Sequence, residues 1–290
     1  MGAGDSSDAF KDADIDSQYS AIVLKRGDGL PDRSISNERR IHRQILSAVQ
    51  MHGNNPLFFR VNIPSAIDHL PPQSDKWKTI LPRLLTEFVA CEALVSERIL
   101  PMPRETRRLL VQRFWNGDID SVVNDKRNEH CLVRPYLGRR RQGARQSRLQ
   151  SISLRNYPLY ADQIEELGLP IDEIDANDVE FVLARPLTSL TTGILGSHAM
   201  WLLDFDYCKE LDMNETGVKV AVQRFWRNDP FYPNPNCKCP EDERLWALFK
   251  DRFLGSSRAI LEGECEAIRE LPELLMARIV ETIGVYYKGS

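Results

Sequence analysis

The sequence predicts an α+β protein with two lobes, a small strand-rich N-lobe and a helical C-lobe. Short apolar runs bounded by turn residues fill the front of the chain, and helical periodicity dominates the back. The texture changes at Pro101 and Pro103. A length of 290 residues suits one large domain or two small lobes. The expected divisions are a polar N-terminus over 1–19, the N-lobe over 20–103 and the C-lobe over 104–290.

Each element has a local reason. Ala21-Ile22-Val23-Leu24, ending in Lys25-Arg26, reads as a strand closed by the turn Gly27-Asp28-Gly29. Ser34 to Gln50 reads as a helix with Ile35, Ile41, Ile45, Leu46 and Val49 on its apolar side and Ser34 or Ser36 as cap. Residues 57–63 and Ala93-Leu94-Val95 are further strands, the latter running into an extended connection that two prolines enforce. Arg104 to Trp115 is a helix with Leu109, Leu110, Phe114 and Trp115 at helical spacing. A short helix from Tyr160 to Leu167 stops at Gly168 and Pro170. Strands follow at 179–183 and 201–205, then helices at about 215–227, 241–254 and 258–283. Trp115, Trp201, Phe225 and Trp226 are expected in the core.

The net charge of −4 gives no global sign of nucleic-acid binding, and DNA is not expected as a partner. The local distribution is uneven. Between Lys126 and Arg148 eight Lys and Arg face the single acid Glu129, within a basic strip over 104–155. Immediately beyond lies an acidic knot over 172–180, of Asp172, Glu173, Asp175, Asp178 and Glu180. Positive charge beside clustered carboxylates suits a polyanion that carries a cationic group. The six cysteines are scattered and no secretory signal precedes them, which points to reduced thiols and a cytoplasmic location. Only Cys237-Lys238-Cys239 is close-set and no histidine stands at zinc-finger spacing from it, so no metal is expected. No apolar run is long enough to span a membrane.

Four signals in order resemble an eroded protein-kinase or aminoglycoside-phosphotransferase plan. Val23-Leu24-Lys25 resembles the strand whose lysine meets nucleotide phosphates, and Asn37-Glu38 its glutamate partner on the next helix. Residues 175–183 occupy the place of a catalytic loop running into a strand. Leu202-Leu203-Asp204-Phe205-Asp206 resembles the metal-holding aspartate motif. The departures bear on activity. Gly2-Ala3-Gly4 is the only trace of a glycine-rich loop, and no His-Arg-Asp or His-Gly-Asp triplet exists. The fold this implies is two-lobed and kinase-like, with phosphoryl-transfer machinery incomplete.

Longer stretches resemble a fungal family more specifically. They include Asn37-Glu38-Arg39-Arg40-Ile41-His42, Glu97-Arg98-Ile99-Leu100-Pro101, Leu137-Gly138-Arg139-Arg140-Arg141 and Leu154 to Tyr160. Asp178-Val179-Glu180-Phe181-Val182-Leu183, Trp201 to Phe205 and Arg224 to Pro230 continue the likeness. The family was long labelled only as a zinc-finger-protein domain of unknown function, and members of it are arginine-containing cyclodipeptide synthases. The resemblance implies a transferase that joins arginine and a second amino acid, both delivered by aminoacyl-tRNAs, into a diketopiperazine. It implies arginyl-tRNA as a partner and no cofactor, because an aminoacyl ester is already activated. Asp178, Glu180 and Asp175 are then the catalytic candidates, as bases or as guanidinium anchors. Lys25, Glu38, Asp204 and Asp206 are expected to bind substrate, and Arg134, Arg139, Arg140, Arg141, Arg145 and Arg148 to track tRNA phosphates. Asp178 and Glu180 would share one strand face while Val179 and Phe181 enter the core. One departure is the apolar helix that relatives carry before the acidic motif; here Gly168-Leu169-Pro170 runs almost directly into it. A kinase-like phosphotransferase and a non-catalytic RNA- or protein-binding pseudokinase are the competing expectations.

Overall fold

Alternation along Ile22–Arg26 turns Leu24 inward and Lys25 away from it, and this is the first strand, β1. The computed structural model describes residues 22–27, 34–52, 61–84, 86–141, 152–169, 180–186, 192–228 and 231–286. The α+β class holds, and the chain divides into two compact units. Unit 1 comprises 1–52, 63–99 and 202–208, and unit 2 the remainder.

In unit 1, β1 is followed by α1 (Ile35–His52), β2 (Ala66–Leu70), α2 (Trp77–Ile80) and β3 (Ala93–Glu97). The sheet is antiparallel in the order β1-β3-β2, with Lys25 opposite Leu94. β3, central in the sheet, carries the buried run Ala93-Leu94-Val95. Leu24, Leu70 and Trp77 close a core over Ala93 and Val95, and the Trp77 indole N–H donates to the Pro71 carbonyl at 3.1 Å. The strand expected at 57–63 differs from what is found. Residues 57–60 lie outside the described residues, Asn62 forms an isolated bridge to Trp201, and the strand is Ala66–Leu70. Its polar middle, Asp68-His69, weakens the apolar alternation by which a strand is recognised.

Unit 2 contains α3 (Arg104–Phe114), α4 (Ile119–Val123), β4 (Val133–Tyr136), β5 (Tyr157–Tyr160), α5 (Ala161–Glu166), β6 (Glu180–Ala184), β7 (Thr192–Gly193) and β8 (Gly196–Ser197). The strand β9 (Ala199–Leu203) carries the chain from unit 2 into unit 1 after Trp201. Unit 2 resumes with α6 (Glu215–Arg227), α7 (Pro240–Ile260), α8 (Glu266–Arg269), α9 (Leu271–Glu281) and α10 (Ile283–Tyr286). A four-stranded sheet runs β5-β4-β6-β9, with β4 and β5 parallel, and β7 and β8 form a two-stranded hairpin. Phe181, Val182, Leu183 and Ala184 of β6 are all buried. That is the pattern of an interior strand covered on both sides. Phe181 enters the core as expected, but so does its neighbour Val182. The expected helix over 258–283 is broken instead: α7 ends at Ile260, Gly263 lies in the turn beyond it, and Pro272 opens α9. Trp201, Phe225 and Trp226 are buried and Trp115 partly so; the Trp226 indole donates to Thr282 Oγ1 at 3.0 Å, tying α6 to the end of α9.

Candidate functional site

The site forms where β1, α1 and the segment after β9 bring charge together inside unit 1. Lys25 is on the strand face opposite Leu24, and Glu38 is on the buried stripe of α1 with Ile35, Ile41 and His42. Lys25 Nζ lies 2.9 Å from Glu38 Oε1, 2.6 Å from Asp204 Oδ1 and 3.4 Å from Asp206 Oδ2. The four residues expected to bind substrate are thus one cluster. The Glu38 and Asp206 side chains are only 4% and 5% exposed, whereas Asp204 is 31% exposed and forms the open side.

Three carboxylates compete for one ammonium, and their electrostatics follow. Burial alone would lower the Lys25 pKa, but Asp204 and Glu38 outweigh it and hold the ammonium charged above its ordinary range. Burial pushes the Glu38 carboxyl up; Lys25 opposes this only in part, and the like charges of Asp204 and Asp206 reinforce it. Glu38 Oε2 is buried and has no hydrogen-bond partner among the described residues. With all three acids ionised the cluster carries a formal charge of −2, from Lys25, Glu38, Asp204 and Asp206.

The backbone that presents the aspartates is pinned from α1. Asp204 has φ of 68°, in the left-handed region that costs most residues about 1 kcal/mol or more and Asp less. Phe205 is buried against the His42 ring, with centroids 5.1 Å apart. His42 Nε2 lies 2.6 Å from the Pro64 carbonyl, which requires a donated N–H. Asn37 Nδ2 donates to the Cys208 carbonyl at 2.9 Å. Asn37 and His42 are the positioning residues that sequence reasoning passed over. The available signal was spacing, since Glu38 and His42 lie four apart on one helix face.

The other expected site residues are distributed differently. Asp172, Glu173, Asp175 and Asp178 lie outside the described residues, as do Arg145 and Arg148, and the side chain of Glu180 is likewise outside them. In unit 2, Arg140 makes a bidentate pair with Glu165 at 2.6 and 2.8 Å and a third bond to Asp242 at 2.5 Å. The hydrogen bonds it donates to Glu165 and Asp242 hold its guanidinium above its ordinary range against the pull of burial. Arg141 pairs with Asp162 at 2.6 Å and lies over the Phe114 ring. Arg140 is therefore anchored to carboxylates of α5 and α7, and Arg141 to those of α5. Arg134 is on β4 and partly buried, and Arg139 follows the strand and is exposed.

Residues 200–265 match a family model described as a zinc finger protein. No curated protein and no solved structure matches the chain. The expected kinship with arginine-containing cyclodipeptide synthases is corrected on this ground, since the matched stretch carries only the zinc-finger description. Zinc itself does not fit the residues described. The matched stretch has Cys208, Cys237, Cys239 and Cys265 but no histidine. The Cys237 thiol donates to the Asn234 carbonyl, while Cys239 and Cys265 are the N-cap residues of α7 and α8. Among the described residues no three of His, Cys, Asp and Glu are grouped so as to hold a metal ion. No helix among them is long and apolar enough to cross a membrane.

Proposed function

We propose that the protein is a transferase that takes arginine from arginyl-tRNA and joins it to a second amino acid as a diketopiperazine, with the Lys25 cluster as its substrate anchor. The observation that carries this function is the charge of the cluster. Among the described residues three carboxylates surround one lysine, with Asp204 the most exposed of them. Such a site disfavours a bare phosphate and favours an organic cation, and a guanidinium pairs with carboxylates through two parallel hydrogen bonds. In the reaction the α-amine of one aminoacyl ester attacks the ester carbonyl of the other. A C–N bond forms, the C–O bond to the first tRNA breaks, and the amine proton passes to a base. The free amine of the resulting dipeptidyl ester then attacks its own ester carbonyl, closes the ring and releases the second tRNA. Asp178 and Glu180 are the candidate bases.

One observation favours a second function, phosphoryl transfer. A strand lysine held between a helix glutamate and an aspartate after a later strand is the pairing that protein kinases use to set ATP and Mg²⁺. Expression of the full chain in a host rich in charged tRNA, with mass spectrometry for arginine-containing diketopiperazines, separates the two. The expected outcome is product from the unaltered protein, none from D178A or E180A, and no ATP requirement once charged tRNAs are supplied. Phosphate transfer from Mg-ATP that disappears in K25M would assign the second function instead.

A further inference from the structure

We propose that the outward ridge of α1, formed by Arg39, Arg40 and Arg43 with Ser36, is a docking surface for the phosphate backbone of RNA. The proposal rests on the tRNA-dependent function above and names a contact outside the basic strip. Ser36, Arg39, Arg40 and Arg43 follow the spacing of one helix stripe, opposite the buried stripe of Ile35, Glu38, Ile41 and His42. Together they line an open groove of about 380 Å³. Arg40 is held in place by donating to Asn37 Oδ1 at 3.0 Å and to Gln44 Oε1 at 3.3 Å. Ser36 donates to Glu92, the acid at this edge, which His69 also engages.

Arg39 and Arg43 differ from Arg140 and Arg141 in having no carboxylate partner among the described residues. Like charges four apart on a helix destabilise it by a few tenths of a kcal/mol. A polyanion relieves that repulsion and releases counterions when the guanidinium forks meet phosphate oxygens. Among the described residues its lining side chains are three arginines and a serine. The ridge is on the same helix as Glu38.

The test is fluorescence anisotropy of the full chain with a labelled tRNA transcript over a salt series. R39A/R43A keeps helix propensity, since alanine is the best helix former. It is expected to bind about tenfold more weakly, with a salt slope shallower by roughly 0.7–0.9 per lost contact. R39K/R43K, which keeps the charges, should retain most of the affinity. Unchanged affinity and slope in R39A/R43A would overturn the ridge, as would binding of the unaltered protein to phosphatidylserine vesicles but not to tRNA. Product assays on the same proteins keep the two proposals apart. Product from a variant with unchanged RNA binding overturns the ridge alone, whereas RNA binding that falls as expected from a protein that makes no product overturns the proposed reaction alone.

Discussion

Lys25 is the residue on which most of the site's electrostatics turn. Replacing it by methionine leaves Glu38 and Asp206, both almost excluded from solvent, with no ammonium between them. Removing one partner of a buried pair costs about 3–5 kcal/mol, so K25M is expected to lower the unfolding free energy measured by urea denaturation by an amount in that range. K25M/E38Q should lose less than the sum of the single changes, because E38Q removes one of the stranded charges. Asp204 separates charge from backbone, since Asn tolerates its left-handed φ of 68° while abolishing the ion pair. D204N is therefore expected to fold and to lose substrate binding. His42 adds a pH signature. Burial holds its pKa below 6.5, helped by Lys25 and opposed by the hydrogen bond to Pro64. As pH falls below 6.5 the unfolded chain takes up that proton first, so stability present above 6.5 is lost on descending through the lower folded value. Denaturation midpoints measured from pH 7.5 to 5 should show this loss, and H42N should flatten it.

Among the helices, α6 is set most sharply by its first turn. Asn214 accepts from the backbone N–H groups of Thr216 and Gly217, at 2.8 and 3.2 Å. N214A is expected to cost about 1 kcal/mol. G217A should cost more, because a Cβ there would fall 1.8 Å from the Asp212 carbonyl oxygen. Thermal denaturation of the two variants checks the order. Caps and periodicity of this local kind are why α1, α3, α6, β1 and β3 were legible in the sequence. β4 and β5 were not, because Pro135 and Pro158 argue against strands, yet the two pair in parallel and Pro158 is tolerated on an edge. In the site, the pairing of Lys25 with Glu38 was legible from a strand lysine followed by a helix glutamate. The packing of Phe205 on His42 was not, because no local pattern joins residues so far apart in the chain. The anchoring of Arg140 was hidden for the same reason, since its partners Glu165 and Asp242 lie well downstream.

For the whole molecule, stability is divided between units held by different means. In unit 2 the Arg140 clamp joins α5 to α7 through part-buried carboxylates. R140A is expected to cost about 2–4 kcal/mol and to remain costly at high salt, because part-buried pairs are screened little. Urea denaturation at low and high salt measures both. Unit 1, like unit 2, is discontinuous in sequence. It is assembled from three stretches of chain, and the last, 202–208, is flanked on both sides by residues of unit 2. No single uninterrupted fragment can therefore be cut out to give unit 1 alone. A piece ending at Ile99 would keep Lys25 and Glu38 but lack Asp204, Phe205 and Asp206, leaving half the ion cluster and an uncovered His42 ring. A protease that nicks the chain on either side of 202–208 would threaten the site without touching the strand or helix that built it. During synthesis Lys25 and Glu38 emerge long before their aspartate partners, so the site becomes complete only after most of unit 2's sheet has been made.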